Sequence, residues 1–233
     1  MGEVIGVGAA PKRKEDRRFL TGRGNYVADI KRDDMSYGMF VRSPNAHATI
    51  GAIDKRPALR TAGVLAVFTG ADFTADGCGT LPCGWGITFK DGAPMKEPPF
   101  PALAIGKVRF VGDAVAFVVG ETLDAATAGA EALAVDYAAL PVAAMLLDAA
   151  KPGAPQLFDD APGNLCADWS LGDEAATEAA FARAAHVSHI SLVNNRLVGN
   201  PMEPRAAIGE YNPGTGQYTL WSTSQFPHVV RLL

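Results

Sequence analysis

The stretch from Val108 to Pro141 constrains the fold more than any other part of the chain. Val108 to Val119 reads as extended across Gly112-Asp113, with Val115, Phe117 and Val119 on one side and Ala114, Ala116 and Val118 on the other. Thr122 is placed to cap a helix, because its hydroxyl can accept an otherwise unbonded N–H of the first turn. Leu123, Ala126, Ala130 and Leu133 then share one face at helical spacing. Ala134 to Tyr137 returns as a strand, and Pro141 ends it. A helix this rich in alanine on its packing side can lie close to a sheet, so the expected class is α+β.

The flanking segments add strands and one long interruption. Ser36 to Arg42 is a strand broken by Ser43-Pro44, Ala46 to Ile50 starts a second short element, and Val64 to Thr69 is a buried strand closed by Gly70. Thr74 to Pro101 carries glycine and proline too densely for a regular helix or a central strand, which predicts a long surface excursion. Residues 148–162, with Pro152, Pro155 and Pro162, read as a linker. Asp173 is the expected cap of a second alanine-rich helix anchored by Phe181. Val187 to Val198 is predicted as a long strand with polar alternation. Arg205 to Tyr211 and Gln217 to Ser222 form a hairpin around Asn212-Pro213-Gly214-Thr215-Gly216. Residues 1–17 read as an arm ahead of the folded part.

Composition excludes several classes. The formal net charge is -4, which disfavours nucleic acid as a partner. The basic cluster Lys12, Arg13, Lys14, Arg17 and Arg18 is broken by Glu15 and Asp16 and reads as a solvated surface. Cys78, Cys83 and Cys166 are odd in number and unevenly spaced, which fits neither a disulfide framework nor a zinc site. No run approaches the roughly 20 apolar residues of a membrane span. A cytoplasmic protein with no membrane span is the expectation.

Six segments in this order resemble the large, molybdopterin-binding subunit of the molybdenum hydroxylases, the family of xanthine dehydrogenase, aldehyde oxidases and aerobic-type carbon monoxide dehydrogenase. They are Arg18 to Tyr26, Val41 to Ala48, Gly63 to Gly70, Val108 to Val119 with Val135-Asp136-Tyr137, Pro201-Met202-Glu203-Pro204-Arg205, and Trp221-Ser222-Thr223-Ser224-Gln225. The resemblance implies an α/β-hammerhead domain over residues 18–147 and the first part of the molybdopterin-binding domain over 163–233. It implies a molybdenum–molybdopterin cofactor, commonly the cytosine dinucleotide form, with iron–sulfur clusters and FAD on partner subunits. The activity implied is oxidation of a small-molecule substrate with water as oxygen source.

Two departures qualify what is implied. Ala114 stands where proline is frequent in the family. The family's glycine-rich pterin loop, its general-base glutamate and, in true carbon monoxide dehydrogenases, its copper-binding cysteine have no counterpart in these 233 residues. The expectation is therefore an N-terminal portion, inactive by itself, that needs the remainder of the molybdopterin subunit, an iron–sulfur subunit and an FAD subunit. The rival expectations are a truncated, non-catalytic hammerhead module and one half of a split large subunit.

Gln225 is the one residue placed for cofactor chemistry. An uncharged amide offers two N–H donors over a wide pH range, and the resemblance assigns it to the oxo group of molybdenum. The alternative is a strand-end glutamine bonded to backbone. Glu203, between Pro201 and Pro204, is expected to fix local geometry, paired with Arg205. His47 and His228 lack ligand partners at metal spacing, and His186 and His189 fall on opposite faces of a strand. Asp113 is expected to cap a bulge or turn. No residue of this chain is read as a catalytic group or a metal ligand.

Overall fold

The computed structural model describes residues 6, 7, 9–84, 86–195, 197–201 and 203–232. Val4 and Ile5 of the arm, Arg196 and Met202 lie outside the described residues. Two compact units emerge, one from residues 34–188 and one that joins 1–33 to 189–233.

The 34–188 unit contains two three-stranded antiparallel sheets. Strands β1 (Tyr37–Arg42), β2 (Ala48–Asp54), β3 (Val64–Thr69), β4 (Lys107–Val108), β5 (Ala114–Gly120) and β6 (Ala134–Ala139) follow in chain order. The first sheet runs β1-β5-β3 and the second β4-β2-β6. Helix α1 (Leu123–Ala132) joins β5 to β6 and so passes from one sheet to the other. Thr122 caps it as expected, accepting the Ala125 N–H at 3.1 Å. Ala126 and Leu133 are buried on the expected face, but Leu123 is half exposed in the first turn. Gly129 lets the helix come close: a Cβ there would lie 2.6 Å from Val64 Cγ2 and 3.0 Å from Val118 Cγ1.

The core lies on both sides of a bulge. One cluster joins Ala116 and Val118 to Ala58, Val67 and Leu133; the other joins Val115 to Ala48, Ala104 and Val108. The β1–β5 register pairs Val41 with Ala116 but Arg42 with Ala114, so Val115 is an extra residue. Strict alternation puts Val115 with Phe117 and Val119. The bulge breaks that parity and buries Val115 and Ala116 together. Phe117 remains on the outer face, against Phe40, with ring centroids 4.8 Å apart. The β3 strand is also less buried than its apolar sequence predicts. It is an edge strand, and Leu65 stays half exposed.

The excursion is long, as expected, but it starts at residue 76 rather than Thr74, because Thr74 and Ala75 complete a helix, Gly70–Ala75, that follows β3; the rest is tied down by backbone. Leu81 N–H donates to Phe100 O at 2.8 Å, Lys90 N–H to Asp168 O at 2.9 Å and Lys96 N–H to Cys166 O at 2.8 Å. Residues 149–164 are organised by two amides. Asn164 donates to Ala149 O and Pro155 O, both at 2.9 Å, and Gln156 accepts the Gly163 N–H at 3.1 Å. Helix α2 (Glu174–Arg183) follows, with Asp173 Oδ1 accepting the Ala176 N–H at 2.8 Å. Phe181 is not an anchor here: it is 55% exposed, and α2 buries no residue.

The second unit centres on a hairpin of β7 (Ala207–Asn212) and β8 (Gln217–Ser222). Short helix Asp16–Leu20 lies within the expected arm and its boundary. The predicted strand 187–198 does not form among the described residues. No strand pairs with it, so its N–H and C=O groups have no ladder to join. Ile190, Val193 and Leu197 are more than four-fifths exposed.

Candidate functional site

The hairpin is built by its turn. Asn212 Oδ1 accepts the Gly214 N–H at 2.9 Å, Asn212 O accepts the Gly216 N–H at 2.8 Å, and Gly216 takes a φ of 69° that a side chain would resist. Six residue pairs then zip from Asn212–Gln217 to Ala207–Ser222. Tyr211 and Tyr218 pack across the strands with their rings tilted by 36° and centroids 4.7 Å apart. Near the other end, Arg32 lies 5.0 Å over the Trp221 ring and 3.9 Å from Glu210, while Trp221 Nε1–H reaches Glu210 at 3.4 Å.

Past Ser222, one threonine fixes the exit of the chain. Thr223 N–H donates to Ala206 O at 3.0 Å, and Thr223 Oγ1 accepts the Ala206 N–H at 3.4 Å. Its hydroxyl proton has two acceptors in reach, Pro204 O at 3.3 Å and Glu203 Oε1 at 3.4 Å. Glu203 thus fixes local geometry through Thr223. The ion pairs among the described residues do not include Glu203 with Arg205, so that expected pairing is corrected. Ser224 Oγ accepts the Phe226 N–H at 3.2 Å, just ahead of helix α3 (Pro227–Leu232).

Gln225 sits between these two anchors, three residues beyond β8 and two before α3. It is exposed. Among the described residues no hydrogen bond engages its amide, although its neighbours on both sides are bonded. The arrangement is a held backbone presenting a neutral donor to open space.

The other polar residues are occupied locally. His47 is buried and donates Nδ1–H to Pro141 O at 2.7 Å, leaving Nε2 buried without a partner. His186 meets the Ser188 hydroxyl at 3.1 Å. Asp113 accepts the Arg109 N–H at 3.0 Å and closes the turn between β4 and β5; burial pushes its carboxyl up from the ordinary range. Cys78 and Cys83 are exposed, and Cys166 is partly buried. Among the described residues no three His, Cys, Asp or Glu side chains gather as a metal site, and no helix is long and apolar enough to cross a membrane.

One site escaped the sequence. A cavity of about 350 Å³ opens between the end of the excursion, the β4–β5 connection and residues 157–158. The phenylalanines of Pro98-Pro99-Phe100-Pro101, Val108-Arg109-Phe110 and Leu157-Phe158 were its only signal, and they are far apart along the chain.

Residues 21–141 match the family described as the aldehyde oxidase and xanthine dehydrogenase a/b hammerhead domain, and residues 157–233 match the molybdopterin cofactor-binding domain. The large chain of carbon monoxide dehydrogenase from Afipia carboxidovorans is 35% identical over 241 residues, covering 98% of this chain and 28% of that protein. The large subunit of nicotine 6-hydroxylase from Paenarthrobacter nicotinovorans is 32% identical, covering 97% of this chain and 27% of its own length. The structure of reconstituted carbon monoxide dehydrogenase from Oligotropha carboxidovorans superposes with a TM-score of 0.83 at 34% identity, over 99% of this chain and 29% of the other. The chain thus spans less than a third of the length of these relatives.

Proposed function

Because the chain belongs to the aldehyde oxidase and xanthine dehydrogenase family of molybdenum hydroxylases, we propose that it contributes Gln225 to the molybdenum site of a large subunit that oxidises a small molecule. In this reading residues 18–147 are the hammerhead domain, 148–162 the linker and 163–233 the start of the molybdopterin-binding domain. When bound, the cofactor, in its cytosine dinucleotide form, supplies a two-electron oxidation with water as oxygen source. Iron–sulfur and FAD subunits accept the electrons, and the assembly is cytoplasmic.

The observation that carries this reading is the amide of Gln225, which bonds nothing among the described residues and sits on a doubly anchored backbone. The donor set fits the group. A carboxamide N–H donates to an oxo oxygen without adding charge to the metal's field, where a glutamate would repel that oxygen and a lysine would add a full positive charge. Thr223 holds the backbone ahead of Gln225 and the Phe226 N–H to Ser224 Oγ bond spans it, which limits where the amide can reach. Pre-orientation of this kind lets a hydrogen bond act without reorganising during the reaction. Residues of this chain supply no base, so proton removal and turnover belong to the whole protein.

The test is Gln225→Ala and Gln225→Glu in the complete large subunit assembled with its partners. The expected result is molybdenum content close to the parent by elemental analysis, with kcat lowered about 10–100-fold for alanine and further for glutamate. A parent-like kcat in both variants overturns the assignment.

A further inference from the structure

The cavity of the 34–188 unit is prebuilt for a guest. Its volume of about 350 Å³ falls within the range of small-molecule sites. Phe100 and Phe110 line it with near-parallel rings, 6.5 Å between centroids, and each ring residue stays almost half exposed. Another part of the lining is held by its own contacts. Arg109 Nε–H donates to Leu157 O at 2.9 Å, and its guanidinium lies 4.2 Å over the Phe158 ring. Asp113 also lines the space; its Oδ2 accepts the Arg109 N–H at 3.0 Å, and the Ala114 N–H bonds the same carboxyl.

These walls define the chemistry of the guest. Apolar aromatic faces favour a flat, apolar body. The Asp113 carboxyl already accepts backbone N–H groups of Arg109 and Ala114, and a carboxylate has lone pairs left for one further donor from a guest. A fixed cation and a fixed anion in one wall favour a guest that is neutral overall. We propose that this cavity binds a small, neutral, planar aromatic molecule whose ring N–H donates to Asp113. The inference goes beyond the role of Gln225 and rests only on residues of the 34–188 unit, so either can fail alone.

Indole is the probe, with 1-methylindole as the control that keeps the flat body and loses the N–H. Both are titrated into the 233-residue chain while side-chain resonances are followed by NMR. Indole is expected to shift the Leu157 methyl and Phe158 ring signals saturably, on the order of millimolar. 1-Methylindole is expected to bind about tenfold more weakly, the effect of one hydrogen bond to a charged group. Asp113→Asn should shrink that gap to about threefold or less, because the amide turns a donor toward the guest. Leu157→Trp should abolish the shifts by filling the space. No shifts at Leu157 and Phe158 up to the solubility of indole overturns the site. Equal binding of the two probes to the parent chain overturns the role of Asp113, and needs no variant to fold.

Discussion

The 34–188 unit and the hairpin unit use similar apolar side chains to opposite ends. In the first, Val108, Val115 and Val118 are fully buried in the clusters that join the two sheets and the helix. In the second, Leu197, Tyr218, Leu220 and Phe226 are all more than three-fifths exposed. The difference lies in layers. A sheet hides one face only when another element covers it, and β7–β8 is a two-stranded ribbon, marginal by itself in water. Apolar content therefore measures the capacity to form a core, while topology decides whether one closes.

Amide hydrogen exchange breaks or sharpens this comparison most strongly. The β5 amides, central in a covered sheet, should exchange at least about a hundredfold more slowly than those of β8, since β8 can open without disturbing a core. Equal protection in the two strands would mean that the hairpin is as well covered as the hammerhead sheet.

The second prediction compares two helices with matching caps. Thr122→Ala removes the acceptor of the Ala125 N–H from α1, which packs on the core through Ala126 and Gly129, and should lower stability by about 1 kcal/mol. Asp173→Ala removes the equivalent bond from α2, which buries nothing. That helix should fray while the unfolding midpoint of the 34–188 unit moves by less than about 0.3 kcal/mol equivalent. Circular dichroism with denaturant separates the two outcomes.

Those caps also show what was legible in the sequence. Thr122, Asp173 and the Asn212–Gly216 turn act within four residues, so local chemistry identifies them. The β5 bulge is set by its partner strand, where Arg42 pairs with Ala114 and displaces Val115. The failure of 187–198 as a strand has the same root, since alternation describes a face and pairing requires a neighbour. The passage of α1 between two sheets is invisible in a strand–helix–strand pattern. Residues 99–113 and 157–158 meet in the cavity only through the fold. Gln225 was legible as a residue type past a strand end, and its open amide depends on bonds made by Thr223 and Ser224.

The smallest effect concerns pH and compares a long-range with a local ion pair within the 34–188 unit. Asp72 holds Lys55 Nζ at 2.5 Å and accepts from the Thr69 hydroxyl at 2.7 Å; together these lower its carboxyl to about 2. Asp54 is lowered to about 2 by Arg56, two residues away. Both folded values lie below the ordinary 3.8. Each contribution is therefore complete above about pH 4 and is lost as pH falls toward about 2. The Lys55–Asp72 pair spans 17 residues and ties the end of β2 to helix Gly70–Ala75, which follows β3, so unfolding separates it. The Asp54–Arg56 pair can persist in an unfolded chain, which cancels much of its effect. Asp72→Asn should flatten the acid limb of a stability–pH curve by under about 1 kcal/mol, its partial exposure limiting the size. Asp54→Asn should flatten it less. The reverse order in thermal melts between pH 2 and 5 would show that chain separation does not govern which acidic residue stabilises this unit.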